Sequence, residues 1–155
     1  MQRITNQVRD LELIEKELSE AAVGMLAITI DDEKTIQFPT TFLYRDKNIH
    51  IFFNSEDELY QAIKYNSSAS FSIIKEEKVK KSKSTDFNPS YRFFSITLKG
   101  LVRQVDEDKM LSTLRNEYLL KYSKKVDESS KKIPWLEAAI IMDSAEIHAQ
   151  EEIGG

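Results

Sequence analysis

The 155-residue chain contains no cysteine. That excludes disulfides, thiolate metal sites and a cysteine nucleophile. It has four glycines, and none falls in the Walker A or the G-x-G-x-x-G spacing that cradles phosphates at a helix start. No G-x-S-x-G elbow is present to present a serine nucleophile. The two histidines, His50 and His148, lie far apart, each beside an isoleucine in a strand-like run. No H-E-x-x-H and no EF-hand loop accompanies them, so no metal ligand and no catalytic acid, base or nucleophile is assigned. No apolar run approaches the roughly 18 residues of a membrane span. Arg3 and Arg9 are not followed by the apolar stretch of a signal peptide. The expectation is a cytoplasmic protein with no membrane partner. A net charge of −4 and a pI near 5.3 lack the basic excess of a nucleic-acid binder.

What the chain does have is an ordinary globular balance, 41% hydrophobic and 31% charged, at a length expected of one domain spanning residues 1–155. Its most regular stretch is Val23 to Ile74. Three β-rich runs, Val23–Ile30, Thr35–Arg45 and Ile49–Phe53, follow one another across short polar breaks that fit hairpins. Ser55 with Glu58 three residues on reads as a capping box, and Asn66 as the stop of the helix that begins there. Ala69, Phe71 and Ile73 then read as the inward side of another strand. An antiparallel meander interrupted by a helix favours a small barrel.

The flanks fit that frame. Ile4, Val8, Leu11, Ile14 and Leu18 fall at helical spacing, which predicts a leading helix within residues 1–22. Pro39 marks an edge strand or a break in pairing that leaves backbone free for a ligand. Residues 76–90, lysine-rich and poor in large apolar residues, read as a mobile hairpin loop. Tyr91–Val105 predicts a long strand with an interruption at Gly100. Asp106–Lys121 predicts a helix with a stripe through Met110, Leu111, Leu114, Tyr118 and Tyr122, and Ser123–Lys132 a loop. Leu136–Gln150 predicts the closing strand, and the two last glycines a frayed tail.

V-G-M-L-A at Val23–Ala27, F-P-T-T-F-L-Y at Phe38–Tyr44, I-H-I-F-F at Ile49–Phe53 and I-K-Y-N at Ile63–Asn66 carry a resemblance. In this order they resemble the pyridoxamine-5′-phosphate-oxidase-like FMN-binding split barrels, in particular the nitroimidazole-resistance-type branch. The resemblance covers nearly the whole chain. It implies a mainly β (α+β) fold: a six- or seven-stranded antiparallel split β-barrel with flanking helices, packed as a homodimer. It also implies FMN in a groove between the subunits and a flavoreductase-like activity on a small-molecule substrate. Carried over residue by residue, it places Pro39, Thr40 and Thr41 near the flavin ring. It places Phe53, Asn54, Ser55 and the residues up to Tyr60 at the phosphate. S-I-T-L-K-G resembles the family's S-V-x-x-x-G, which puts Ser95 and Lys99 near the flavin or the dimer seam. Phe52, Tyr91 and Phe93, on the outward parity of their strands, are the aromatic candidates for that seam.

One departure stands out. Where the family usually carries a lysine or arginine against the phosphate, this chain reads Glu56-Asp57-Glu58. Three carboxylates there already satisfy the helix dipole and repel a dianion. Arg45, Lys64, Arg92 or the lysine-rich loop are the candidate sources of compensating charge. The alternative is a non-catalytic split-barrel binding module that has lost or changed the flavin site. Haem ligation through His50 or His148 is a third, weaker candidate, raised by split-barrel relatives that handle haem.

Overall fold

The computed structural model describes residues 3–31, 34–63, 67–80, 90–123 and 133–154. Its elements run β1 (Arg3–Val8), α1 (Leu11–Glu20), β2 (Gly24–Asp31), β3 (Lys34–Thr40), β4 (Leu43–Arg45), β5 (Asn48–Phe53), α2 (Glu58–Ala62), β6 (Ser67–Lys80), β7 (Ser90–Gln104), α3 (Asp108–Tyr122) and β8 (Ala138–Gly154). A 3-10 turn, Pro134–Leu136, precedes β8.

All strand pairings are antiparallel, in the order β3-β2-β6-β7-β8-β5-β4, with β1 added to the far half of β8. The two ends of this order are β3 and β4, which are consecutive in the chain and joined only by Thr41 and Phe42. From Thr40 to Leu43 the chain takes three steps and spans no more than about 11 Å. The sheet therefore has to curl until its edges nearly meet, yet β3 and β4 do not pair. The result is a barrel with an open seam, the split barrel expected: seven strands follow one another from edge to edge, and β1 is added beside β8 as an eighth. Alternation fills its interior: Leu26 and Ile28 from β2, Ile49, Ile51 and Phe53 from β5, Phe71 and Ile73 from β6, and Ile96, Leu98 and Val102 from β7 are all buried in one cluster. Ile14 and Leu18 of α1 enter the same cluster, while Leu114 of α3 packs on a second, outside β4, β5 and the start of β8.

Several local expectations are corrected. Arg3–Val8 is a strand, not the first turns of the leading helix. It pairs with Ala149–Gly154, and the helix starts only after Asp10, whose carboxylate accepts from the Leu13 N–H (3.3 Å). The helical spacing of Ile4 and Val8 with Leu11 is satisfied by no helix, because pairing with β8 holds those backbone groups. The run Thr35–Arg45 is two strands, broken at Thr41–Phe42. Lys75–Lys80 belongs to β6, so that strand extends into the expected loop; residues 81–89 lie outside the described residues. So do Lys64, Asn66, the proposed helix stop, and residues 124–132. Gly154 is no frayed tail: it pairs with Arg3 and Tyr91, and the Tyr91 ring covers it so closely that a Cβ would lie 2.2 Å from it. Among the described residues, no helix is long and apolar enough to cross a membrane.

Gly100 sits at a register shift where β7 passes from Lys99–Glu146 to Gly100–Ser144 pairing. A Cβ there would meet the Asp143 carbonyl oxygen at 2.0 Å and its carbon at 2.8 Å. Backbone cannot swing aside as a side chain does. Gly100→Ala is therefore expected to cost about 1–3 kcal/mol, read as a lower urea midpoint with an unchanged m-value. Leu120→Ala, at a residue 67% exposed on α3, is the control that should shift it little.

Candidate functional site

The residues expected around a flavin fall into two groups in the protomer. The first lies at the barrel end where the seam opens. Pro39 and Thr40 close edge strand β3, Pro39 opposite Met25. A proline at an edge position removes no ladder bond. The backbone after it is not left free, contrary to one expectation from Pro39. The Phe42 N–H donates to the Tyr122 hydroxyl (3.1 Å), and the Phe42 carbonyl accepts from Lys121 Nζ (2.9 Å). Tyr122 in turn donates to the Ala22 carbonyl (2.8 Å), with the Phe42 carbonyl 3.0 Å away. Thr41 Oγ1 bonds the Tyr118 hydroxyl (2.8 Å). The last turns of α3 thus staple the seam. Lys121 also sits 3.8 Å above the Phe42 ring, and burial pushes its ammonium down to about 8. Sequence reading placed Tyr118 and Tyr122 on a packing stripe. Nothing local to α3 signals that they and Lys121 reach the β3–β4 break about 80 residues away.

Phe53 is 8% exposed. Its ring meets Phe38 edge-on at 6.4 Å and lies 5.9 Å from the Tyr60 ring. These three aromatics form a ledge beside the turn that leads into α2. That turn is not the Ser55/Glu58 capping box. Asp57 is the cap, its Oδ1 accepting from Leu59 N–H (2.8 Å) and Tyr60 N–H (3.3 Å). Asn54 Oδ1 accepts from Glu56 N–H and the Asn54 carbonyl from Asp57 N–H, both at 3.0 Å. Ser55 Oγ is drawn instead to Glu137 Oε2 (3.0 Å), because the chain folds the loop before β8 against it. Among residues 53–63 there is no lysine or arginine. The described candidates for compensating charge are already engaged elsewhere: Arg45 with Glu117 and Asp46, Arg92 with Glu151. A phosphate dianion does not fit this turn.

The second group is on the outer face of the sheet. Ser95 and Lys99 alternate with the buried Phe94, Ile96 and Leu98. Ser95 lines a small apolar hollow of about 200 Å³ with Ile74 and Phe93. Lys99 lies opposite Ser70 and Glu146 and lines a shallow hollow of about 470 Å³ with Thr29, Ser68 and Leu101. Pro39 shares the outer face with Ser95 and Lys99, in register through Met25 and Ser72 with Thr97, whereas the inward Phe53 is buried in the barrel cluster. α3 covers only the β4–β5 side, where Phe52 packs on Tyr118 at 5.1 Å. Phe52 is therefore held partly buried against α3 within the protomer. Tyr91 and Phe93 remain on the outer face, their rings 5.1 Å apart.

Burial leaves His50 no haem site. His50 is 2% exposed and faces α3 among apolar neighbours, leaving no open ring face for an iron. His148 is exposed on the outer face opposite Thr97.

No family model and no curated protein sequence matches the chain. Solved structures do. A candidate 5-nitroimidazole antibiotic resistance protein from Bacteroides thetaiotaomicron is similar at a TM-score of 0.73 and 16% identity, over 99% of this chain and 91% of that one. A FAD-binding protein from Mycobacterium smegmatis is similar at 0.61 and 13%, over 96% and 98%. A candidate pyridoxamine 5′-phosphate oxidase from Corynebacterium glutamicum is similar at 0.62 and 15%, over 96% and 98%. The open-seamed sheet, the helices at its ends and these overlaps over almost the full chain agree: the protein has the split-barrel fold of the pyridoxamine-5′-phosphate-oxidase-like proteins.

Proposed function

We propose that this protein binds a flavin between two copies of itself and serves an oxidoreductase reaction on a small molecule. The observation that carries the reading is the uncovered outer face of β2, β6 and β7. Ile74 there is 72% exposed and Leu101 46%, beside the hollow at Ser95. A second copy packed on this face would cover those residues and bring one subunit's Ser95 and Lys99 toward the other's Pro39–Tyr60 group. The FAD-binding neighbour supports a flavin rather than another ligand. A bound flavin supplies hydride acceptance and donation. The chain's own part is to hold the ring against aromatic and apolar side chains and to keep water from it.

Light scattering and an absorption scan test this. The expected mass is twice 18.0 kDa, and added flavin should be retained through desalting with bands near about 370 and 450 nm. A monomer mass would remove the between-subunit site. The second reading, a non-catalytic split-barrel module, is favoured by one feature, the acid-rich turn at Asn54–Tyr60. It takes over if a dimer forms and retains no flavin.

A further inference from the structure

We infer that the flavin this chain selects is one without a phosphate ester, riboflavin rather than FMN or FAD. The inference rests on the flavin reading above and adds which flavin. An oxyanion is held at a turn by backbone N–H groups left free to point at it. Here most of those groups are spent within the chain. The N–H groups of Glu56, Asp57, Leu59 and Tyr60 donate to Asn54 and Asp57 at 2.8–3.3 Å. Ser55 Oγ donates to Glu137, and Gln61 Nε2 to the Ser55 carbonyl (3.2 Å). The Asp57 carboxylate holds two of those N–H groups itself, as an anion supplied by the fold.

Charge acts in the same direction. Glu56, Asp57, Glu58 and Glu137 are all exposed around the turn, and residues 53–63 offer no cation. A dianion brought here loses hydration, finds no cation among the described residues of the turn and meets four like charges. An uncharged ribityl chain meets none of these penalties: its hydroxyls can donate to the surrounding carboxylates. The half-buried rings of Phe38 and Tyr60, packed beside Phe53, are indifferent to the ligand's charge.

Equilibrium dialysis of the native protein against riboflavin, FMN and FAD at low salt decides the matter. Riboflavin should bind tighter than FMN by roughly tenfold or more, and the ratio should shrink as salt screens the acids. The double variant Glu56→Lys/Glu58→Lys changes two exposed side chains that cap nothing. It should tighten FMN by about tenfold or more and leave riboflavin unchanged. FMN binding as tightly as riboflavin to the native protein, or no response of FMN to the charge reversal, overturns the inference and leaves the flavin reading standing. If no flavin binds at all, the flavin reading falls and this inference with it.

Discussion

Acid should destabilise this protein through one histidine, by roughly 3 kcal/mol between pH 6.5 and pH 4. His50 lies on β5 opposite Leu43 and Ile141, and burial pushes its imidazole from 6.5 down to about 4. A backbone hydrogen bond to Arg45 works against that shift, as do Asp46 and Asp143, while the Arg45 guanidinium adds to it. The sign follows from proton counts. Between pH 6.5 and 4 the unfolded chain protonates this ring and the folded chain does not, so the unfolded state binds more protons and stability falls as pH falls. Below about 4 the contribution is exhausted. Urea midpoints measured from pH 7.5 to 4 for the native protein and His50→Leu separate this effect from the carboxylates, which both share. The variant should lose most of the slope between pH 6.5 and 4; equal slopes would sink the assignment. The buried Nδ1, which has no hydrogen-bond partner, points the same way: a proton placed there would have no acceptor.

Replacing Phe42 by alanine should cost about 3–5 kcal/mol and lower the melting temperature by about 10 °C. Phe42 is one of the two residues that join the sheet's edges, and its ring is fully buried, 4.6 Å from the equally buried Phe71. The loss has two parts. Alanine leaves a cavity at the centre of the barrel, and it strips Lys121 of the ring that lies 3.8 Å beneath its ammonium, an interaction worth about 1 kcal/mol. Phe42→Leu keeps most of the packing and loses the ring, so its smaller deficit reports the second part. Lys121→Met, tested in both backgrounds, closes a double-mutant cycle. A cycle with no coupling would assign the whole cost to packing.

Much of the barrel was legible because strands announce themselves by period. β2, β5 and β7 alternate buried and outward residues as the pattern predicts. The two-residue link between β4 and β5 is the short hairpin expected, with Asp46 and Lys47 both at positive φ, 51° and 67°, as a turn matched to strand twist requires. The long α3 and the interruption at Gly100 were equally visible. The errors came where two local patterns compete. Ile4 and Val8 suit a helix or a strand, and only β8 alongside decided for the strand. Ser55 and Asp57 can both cap α2. Asp57 won because Asn54 turned the chain and Glu137 took the serine.

Sequence alone determined most of the strands and their inward residues, the absence of thiol chemistry, and the acidic run at Glu56–Glu58. Those depend on residue type and on periods of two or of three to four, which are local. Tertiary structure decided the rest. It closed the sheet until β3 and β4 met at Thr41–Phe42, and it carried Tyr118, Lys121 and Tyr122 to that seam. It buried His50 without a partner for Nδ1 and left the outer face of β7 bare. Each of these depends on which distant surfaces end up in contact, and no window of neighbouring residues contains that information.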